Sequence, residues 1–151
     1  MPLKPKLSDA PRIRGAISFY RAFAYITGTF LLLLTVEVIV KFILGFELEI
    51  GGTHGAFALV ARGTVHAING STAVLIIHGW LYVVYLFSDF RLWSLLRWPF
   101  SRFILIALGG VIPFMSFITE HFITRRARIE LAELEATAPS QAPTTATEAT
   151  H

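Results

Sequence analysis

The chain has 151 residues, 54% of them hydrophobic and only 15% charged, with 13 Phe, 3 Trp, 4 Tyr and no Cys. A soluble domain carries about 25% charge, so this composition excludes a disordered chain, a collagen, a disulfide scaffold and most water-soluble domains. The net charge of +3 sits on basic residues that flank apolar runs. That is the positive-inside pattern of a membrane protein and not the basic face of a nucleic-acid-binding module. Without Cys there are no disulfides, thiolate zinc sites, cysteine nucleophiles or iron–sulfur clusters.

Residues 1–16 hold Lys4, Lys6, Arg12, Arg14 and three prolines and read as a basic cytoplasmic tail with little fixed structure. The apolar stretch that follows is too long for a secretory signal and lacks a small-residue cleavage site. It predicts a first spanning helix over about 19–44. Some 26 residues would extend roughly 39 Å, more than a hydrocarbon core of about 30 Å. Tyr20, Arg21 and Tyr25 suit its inner interface. The segment 45–66 opens with Glu47 and Glu49, breaks at Gly51-Gly52 and is interrupted by Arg62. It is expected to be an external loop with a short interfacial helix, because its uninterrupted apolar stretch is far below the roughly 17 residues a span needs.

A second span is expected over about 67–87, with Asn69 as a candidate N-cap. The link 88–102 places Trp93 and Trp98 beside Arg91, Arg97 and Arg102, an interfacial belt. Pro99 is placed to begin a third helix, spanning about 100–122. Gly109, Gly110 and Pro113 within it are tolerated in membrane helices. Residues 124–135 are charged helix formers, so the helix should continue into water. The remainder, 136–151, is rich in Ala, Thr and Pro and is expected to be a disordered tail.

The expected fold is therefore an all-α transmembrane bundle of three spans. Lys4, Lys6, Arg12, Arg14, Arg21, Arg91, Arg97 and Arg102 then share one side, against Lys41, Arg62, Arg125, Arg126 and Arg128 on the other. Eight against five favours a cytoplasmic N-terminus and an external C-terminus.

Several polar residues fall inside these runs. Glu37 and Lys41 have the favourable i, i+4 order for an ion pair, either a simple interfacial pair or a proton or ion site. Ser71, Leu75, His78, Tyr82, Tyr85 and Asp89 follow intervals of four and three along one helix face. Such a stripe should face protein, with His78 either polar glue between helices or a proton-responsive group. Arg102, Gly109, Pro113, Ser116 and Glu120 form a matching stripe whose small residues permit close approach. Glu37, Lys41, Glu120, His121 and His66 are expected to gather in one outer polar cluster. No metal-ligand spacing, P-loop, GxGxxG or GxSxG is present. No cofactor and no enzymatic activity are expected.

Three stretches, 27–45 (TGTFLLLLTVEVIVKFILG), 78–87 (HGWLYVVYLF) and 109–121 (GGVIPFMSFITEH), resemble a family of small actinobacterial integral membrane proteins known only as a domain of unknown function. The resemblance covers roughly residues 14–126 and rests on Lys41, on His78-Gly79, and on Pro113-Phe114 followed by Glu120. Many members have an acidic residue where Thr27 precedes Gly28 here, and the 46–70 connection is longer than usual. The resemblance implies a multi-helix membrane protein without an assigned activity. Small size and close-packing residues lead to a structural or accessory subunit, in a homo-oligomer or larger membrane complex, as the expected role. A small proton-coupled transporter or channel using His78, Glu37 and Glu120 is the alternative.

Overall fold

The computed structural model describes residues 4–137. A 3-10 turn at Leu7–Asp9 leads into helix α1, Ala10–Ile39, which continues as a π-helical turn over Val40–Leu44. The helix stops at Gly45, whose φ of 75° is the left-handed stop that glycine adopts without strain. Strands β1 (Phe46–Gly52), β2 (Gly55–Ala61) and the short β3 (Ile68–Asn69) follow, then helices α2 (Gly70–Leu96), α3 (Phe100–Gly109) and α4 (Met115–Ala136).

The strands form an antiparallel sheet in the order β2-β1-β3. This corrects the all-α expectation and replaces the expected loop and interfacial helix. The cause lies in residues 46–50, FELEI, which alternate strictly between apolar and acidic, the period of a strand. Gly52 pairs with Gly55, leaving Thr53-His54 as a two-residue turn. The positive φ of Gly51 and Gly55 supplies the tight reversal. At the other end of the sheet, Asn69 caps α2 as expected, its side chain accepting from the Thr72 amide at 3.0 Å.

Within the expected tail 1–16, the described residues are mostly helical from Leu7 onward. Ala10, Ile13, Ala16 and Ile17 are buried against Leu92, Leu96, Ala127 and Leu131, which is why α1 starts at Ala10. The expected C-terminal tail lies, beyond Thr137, outside the described residues.

The largest correction concerns the third apolar run, which is two helices and not one. Residues 110–114 break it, and Phe114 at φ 66° reverses the chain. Helix α4 then runs back beside α1: Ser116 Oγ donates to the Ala24 carbonyl at 2.9 Å, Arg21 Nε meets Glu120 at 3.2 Å, and Arg14 meets Glu135 at 2.5 Å. Helix α3 packs antiparallel to both α2 and α4. Phe90 and Trp93 meet Phe103, and Arg102 faces Glu130 at 3.7 Å. The start of α1, the end of α2, the start of α3 and the end of α4 therefore share one end of the molecule, the basal end; the sheet occupies the other.

Two helices are long and apolar enough to cross a membrane, the continuous Leu7–Leu44 segment and α2. The 10 residues of α3 reach only about 15 Å, half of a hydrocarbon core of about 30 Å. Helices α3 and α4 thus make a hairpin that leaves the basal end and returns to it.

The turn of that hairpin is tightly packed. A Cβ at Gly110 would lie 2.6 Å from the Tyr82 ring. Gly110→Ala should therefore cost about 1–3 kcal/mol by overpacking, read as a lower thermal unfolding midpoint in detergent. An unchanged midpoint would show that Tyr82 does not close on this turn.

Candidate functional site

The polar interior is organised by α2. Asn69 starts the helix, and the intervals of three and four then carry one stripe past α1 and α3. Tyr82 donates its hydroxyl to the Ala107 carbonyl at 3.1 Å and Tyr85 to the Ile106 carbonyl at 2.7 Å. Those acceptors belong to the last turn of α3, where the Ala107 carbonyl also accepts from the Gly110 amide at 3.2 Å. The two tyrosines therefore brace the end of the broken helix. On the opposite side, Thr27 Oγ1 donates to the Leu81 carbonyl at 3.3 Å. Gly28 lets Ser116 come close enough to reach Ala24; a Cβ there would stand 3.0 Å from Ser116.

His78 is half-buried and stacks on Tyr82, with ring centroids 6.3 Å apart and planes inclined by 17°. Its Nδ1 is buried without a hydrogen-bond partner. Leu75, expected on the same buried stripe, is 55% exposed. Toward the basal end the stripe reaches Asp89, which is 0% exposed and whose two carboxyl oxygens have no partner among the described residues. Tyr20 packs across from α1, 5.8 Å from the Tyr85 ring centroid, and its buried hydroxyl is also unpartnered. Asp89 and Tyr20 are thus both 0% exposed and both without a hydrogen-bond partner among the described residues. The signal for Asp89 was its place on the stripe; nothing in the sequence showed that neutralising partners would be absent.

The expected outer cluster does not assemble. Glu120 lies in the bundle, held by Arg21 and by Thr124 Oγ1 at 3.0 Å, because α4 returns toward the base. His121 is exposed and sets its ring edge-on to Phe122. Glu37 and Lys41 do not pair with each other. Glu37 accepts a hydrogen bond from Ser71, tying α1 to α2, while the π-helical turn delivers Lys41 Nζ to Glu47 at 2.6 Å. Among the described residues, no group of three or more His, Asp or Glu could hold a metal ion.

Residues 17–125 match the family described as a domain of unknown function, DUF3817. The chain belongs to that family. It is similar to an uncharacterized protein of Mycobacterium tuberculosis, 28% identical over 117 residues, which covers 78% of this chain and 80% of the relative. An uncharacterized protein of Mycobacterium leprae is 26% identical over 127 residues, 81% of this chain and 87% of the relative. No solved structure matches.

In this DUF3817 chain the 46–70 connection is a second polar centre. Glu47 and Glu49 point to the same face of β1 and are 5% and 1% exposed. Glu47 accepts from Lys41 and from the Gly63 amide at 3.1 Å; Glu49 accepts from the His66 and Ala67 amides at 2.8 and 3.0 Å. Their carboxylates thus bond backbone donors of residues 63–67, which lie outside the ladder. The ion pair with Lys41 holds the Glu47 carboxyl below the usual range, and the His66 amide does so for Glu49.

A carboxyl whose folded pKa is depressed stabilises the fold above its unfolded value, about 4.3, and loses that contribution as pH falls through the folded value. The amide proton shifts of Gly63, which reports Glu47, and of His66 and Ala67, which report Glu49, should therefore move on the acid side of the usual carboxylate range in an NMR titration. Glu49→Ala should abolish the transition at His66 and Ala67 and spare Gly63. Amides indifferent to acid would overturn this role for the carboxylates.

Proposed function

We propose that this protein is an integral membrane protein with two spans and a re-entrant α3–α4 hairpin, serving as a structural or accessory subunit of a membrane assembly and not as an enzyme. The carrying observation is how the interior hydroxyls are used: Thr27, Tyr82, Tyr85 and Ser116 each donate to a backbone carbonyl of a neighbouring helix. Bonds of this kind contribute about 0.6 kcal/mol each inside membrane proteins, up to about 1.7, and they serve as glue. The exposed faces of α1 and α2 carry Leu33, Val36, Leu75, Ile76, Trp80 and Val83, which suits direct contact with a lipid bilayer.

Charge supports a cytoplasmic base. Of the 13 Lys and Arg residues, only Lys41 and Arg62 belong to the sheet end. The conflict produced by three spans, with Arg125, Arg126 and Arg128 on the wrong side, disappears once α4 returns. A reporter fused after Ala136 should read cytoplasmic, as should one at the N-terminus. Opposite readings would exclude the re-entrant hairpin.

Assembly is supported by β2. It lies at the sheet edge, and its sequence GAFALVA has neither charge nor proline, the devices that keep an edge from pairing. A second copy pairing β2 antiparallel to β2 would bring the two Ala58 residues together. The natural absence of Cys makes the test clean. Ala58→Cys should give a disulfide dimer on oxidation in the native membrane, whereas Arg128→Cys, at the base, should not. A monomer in native mass measurement, with no Ala58→Cys dimer, would overturn the reading.

One observation favours a second reading, a proton-coupled transporter: the enclosed, unpartnered Asp89 carboxyl. Vesicle flux that stops with Asp89→Asn would establish it in place of the structural role.

A further inference from the structure

The basal end contains a cleft of about 1270 Å³, more than the ~300–1,000 Å³ that encloses most small ligands. It lies between the α2–α3 turn and α4. Five cations line it, Lys4, Arg97, Arg102, Arg125 and Arg126, against two acids, Glu130 and Glu133. Glu130 is already engaged: it accepts from Trp98 Nε1 at 2.7 Å and pairs with Arg126 at 3.2 Å and Arg102 at 3.7 Å. Lys4, Arg97 and Arg125 have no ion pair among the described residues.

Two further features converge there. Helix α3 begins beside this cleft, which Pro99 and Arg102 line, with Pro99 as its N-cap and no side-chain cap, so the positive end of the helix lies there. Arg97 holds φ 53°, ψ 38° at the end of α2, a left-handed conformation that glycine would take without strain. The strain is kept at a position that places a guanidinium over the cleft. The wall toward the hairpin turn is apolar, Phe122 being 64% exposed; Ile129, 50% exposed, lies one helical turn to the basal side of Arg125. Cations above an apolar wall, at the level where a re-entrant hairpin enters the bilayer, match a phosphate headgroup with its acyl chains below.

The geometry points to a binding site for an anionic phospholipid of the cytoplasmic leaflet, its phosphate held by Arg97, Arg125 and the α3 N-terminus and its chains running from there toward the hairpin turn against Phe122. The site rests on the membrane reading but not on the subunit role. A monomer with this lipid preference would overturn the subunit role alone. A basic pocket between helices on this side is the arrangement expected for such headgroups. A soluble anion leaves the apolar wall uncovered, and a zwitterionic phospholipid brings a quaternary ammonium in among the same cations, which is what favours the net-anionic headgroup.

The test is native mass measurement of the full-length protein in detergent, titrated with phosphatidylglycerol or phosphatidylcholine, with inorganic phosphate as a separate arm. Phosphatidylglycerol should be retained about tenfold more than phosphatidylcholine. Arg97→Gln with Arg125→Gln should remove most of that preference, since each juxtamembrane cation contributes appreciably to anionic-lipid attraction. Circular dichroism should show unchanged helix content in the double variant. Arg128→Gln, which removes an exposed basal charge outside the cleft, should retain the preference. Equal retention of both lipids, equal loss in Arg128→Gln, or full competition by millimolar inorganic phosphate would each overturn the proposal.

Discussion

The architecture depends on the close contact between α1 and α4 at Gly28 and Ser116. The chain reverses at Phe114 in a conformation costing of the order of 1–3 kcal/mol for a side-chain-bearing residue. That cost is offset only if α4 gains a partner immediately. Ser116 provides it two residues later through the Ala24 carbonyl, and Thr119, Glu120, Ile123 and Ala127 extend the buried line. With α4 fixed against α1, the start of α1 and the end of α4 must meet at the base, α3 must stop half-way, and its last turn must be braced from α2. Tyr82 and Tyr85 do this. The tyrosine stripe and the small-residue stripe are two sides of one device, which breaks a helix inside the molecule without leaving its carbonyls unpaired.

The sheet end obeys the same rule with different groups. In β1 the glutamates are covered and Phe46 is exposed, the inverse of a soluble hairpin. Covering them is tolerable because each carboxylate bonds backbone amides, and charge-assisted bonds of this kind are stronger than neutral ones. The apolar face, with Phe46, Leu59 and Phe57, continues the exposed Phe42, Ile43 and Leu44 of the π-helical turn. Arg62 lies over the Phe42 ring, 4.8 Å from its centroid, as an amphipathic side chain does at the edge of an apolar belt.

Much of this was legible in the residues. The two longest apolar runs, the Asn69 cap and the α2 stripe from Ser71 to Asp89 follow from period and chemistry alone. The hairpin was legible too: FELEI alternates with period two and GGTHG is a turn. A search for spans weighs total hydropathy and passes over that period. The break at residues 110–114 was harder. Gly109, Gly110 and Pro113 are equally compatible with a kinked spanning helix, and the deciding contacts, Ser116 with Ala24 and Arg14 with Glu135, are 92 and 121 residues apart. The charge count held a usable clue. Three arginines in 125–128 conflict with an external C-terminus, and a hairpin resolves that conflict as well as a fourth span does.

The same geometry decides which polar residues are free to act. Glu37, Lys41 and Glu120 looked exceptional in the sequence because charge within an apolar run is costly. Each finds a partner in space: Ser71, Glu47 and Arg21 respectively. Asp89 looked unexceptional, near the end of its run beside Arg91. Helical geometry nevertheless turns it inward toward Tyr20 and Tyr85, while Arg91 two residues on is exposed. An anionic carboxylate sealed away without a counter-charge is far more costly than a neutral carboxyl. Asp89 is an interior carboxyl without a hydrogen-bond partner among the described residues, and the basal cleft gathers three cations, Lys4, Arg97 and Arg125, that have no ion pair there. One site has a carboxyl without a cation, and the other has three of its five cations without an ion pair among the described residues. The distribution of charge within the described residues makes these two places, and not the polar pairs conspicuous in the sequence, the chemically unfinished parts of the molecule.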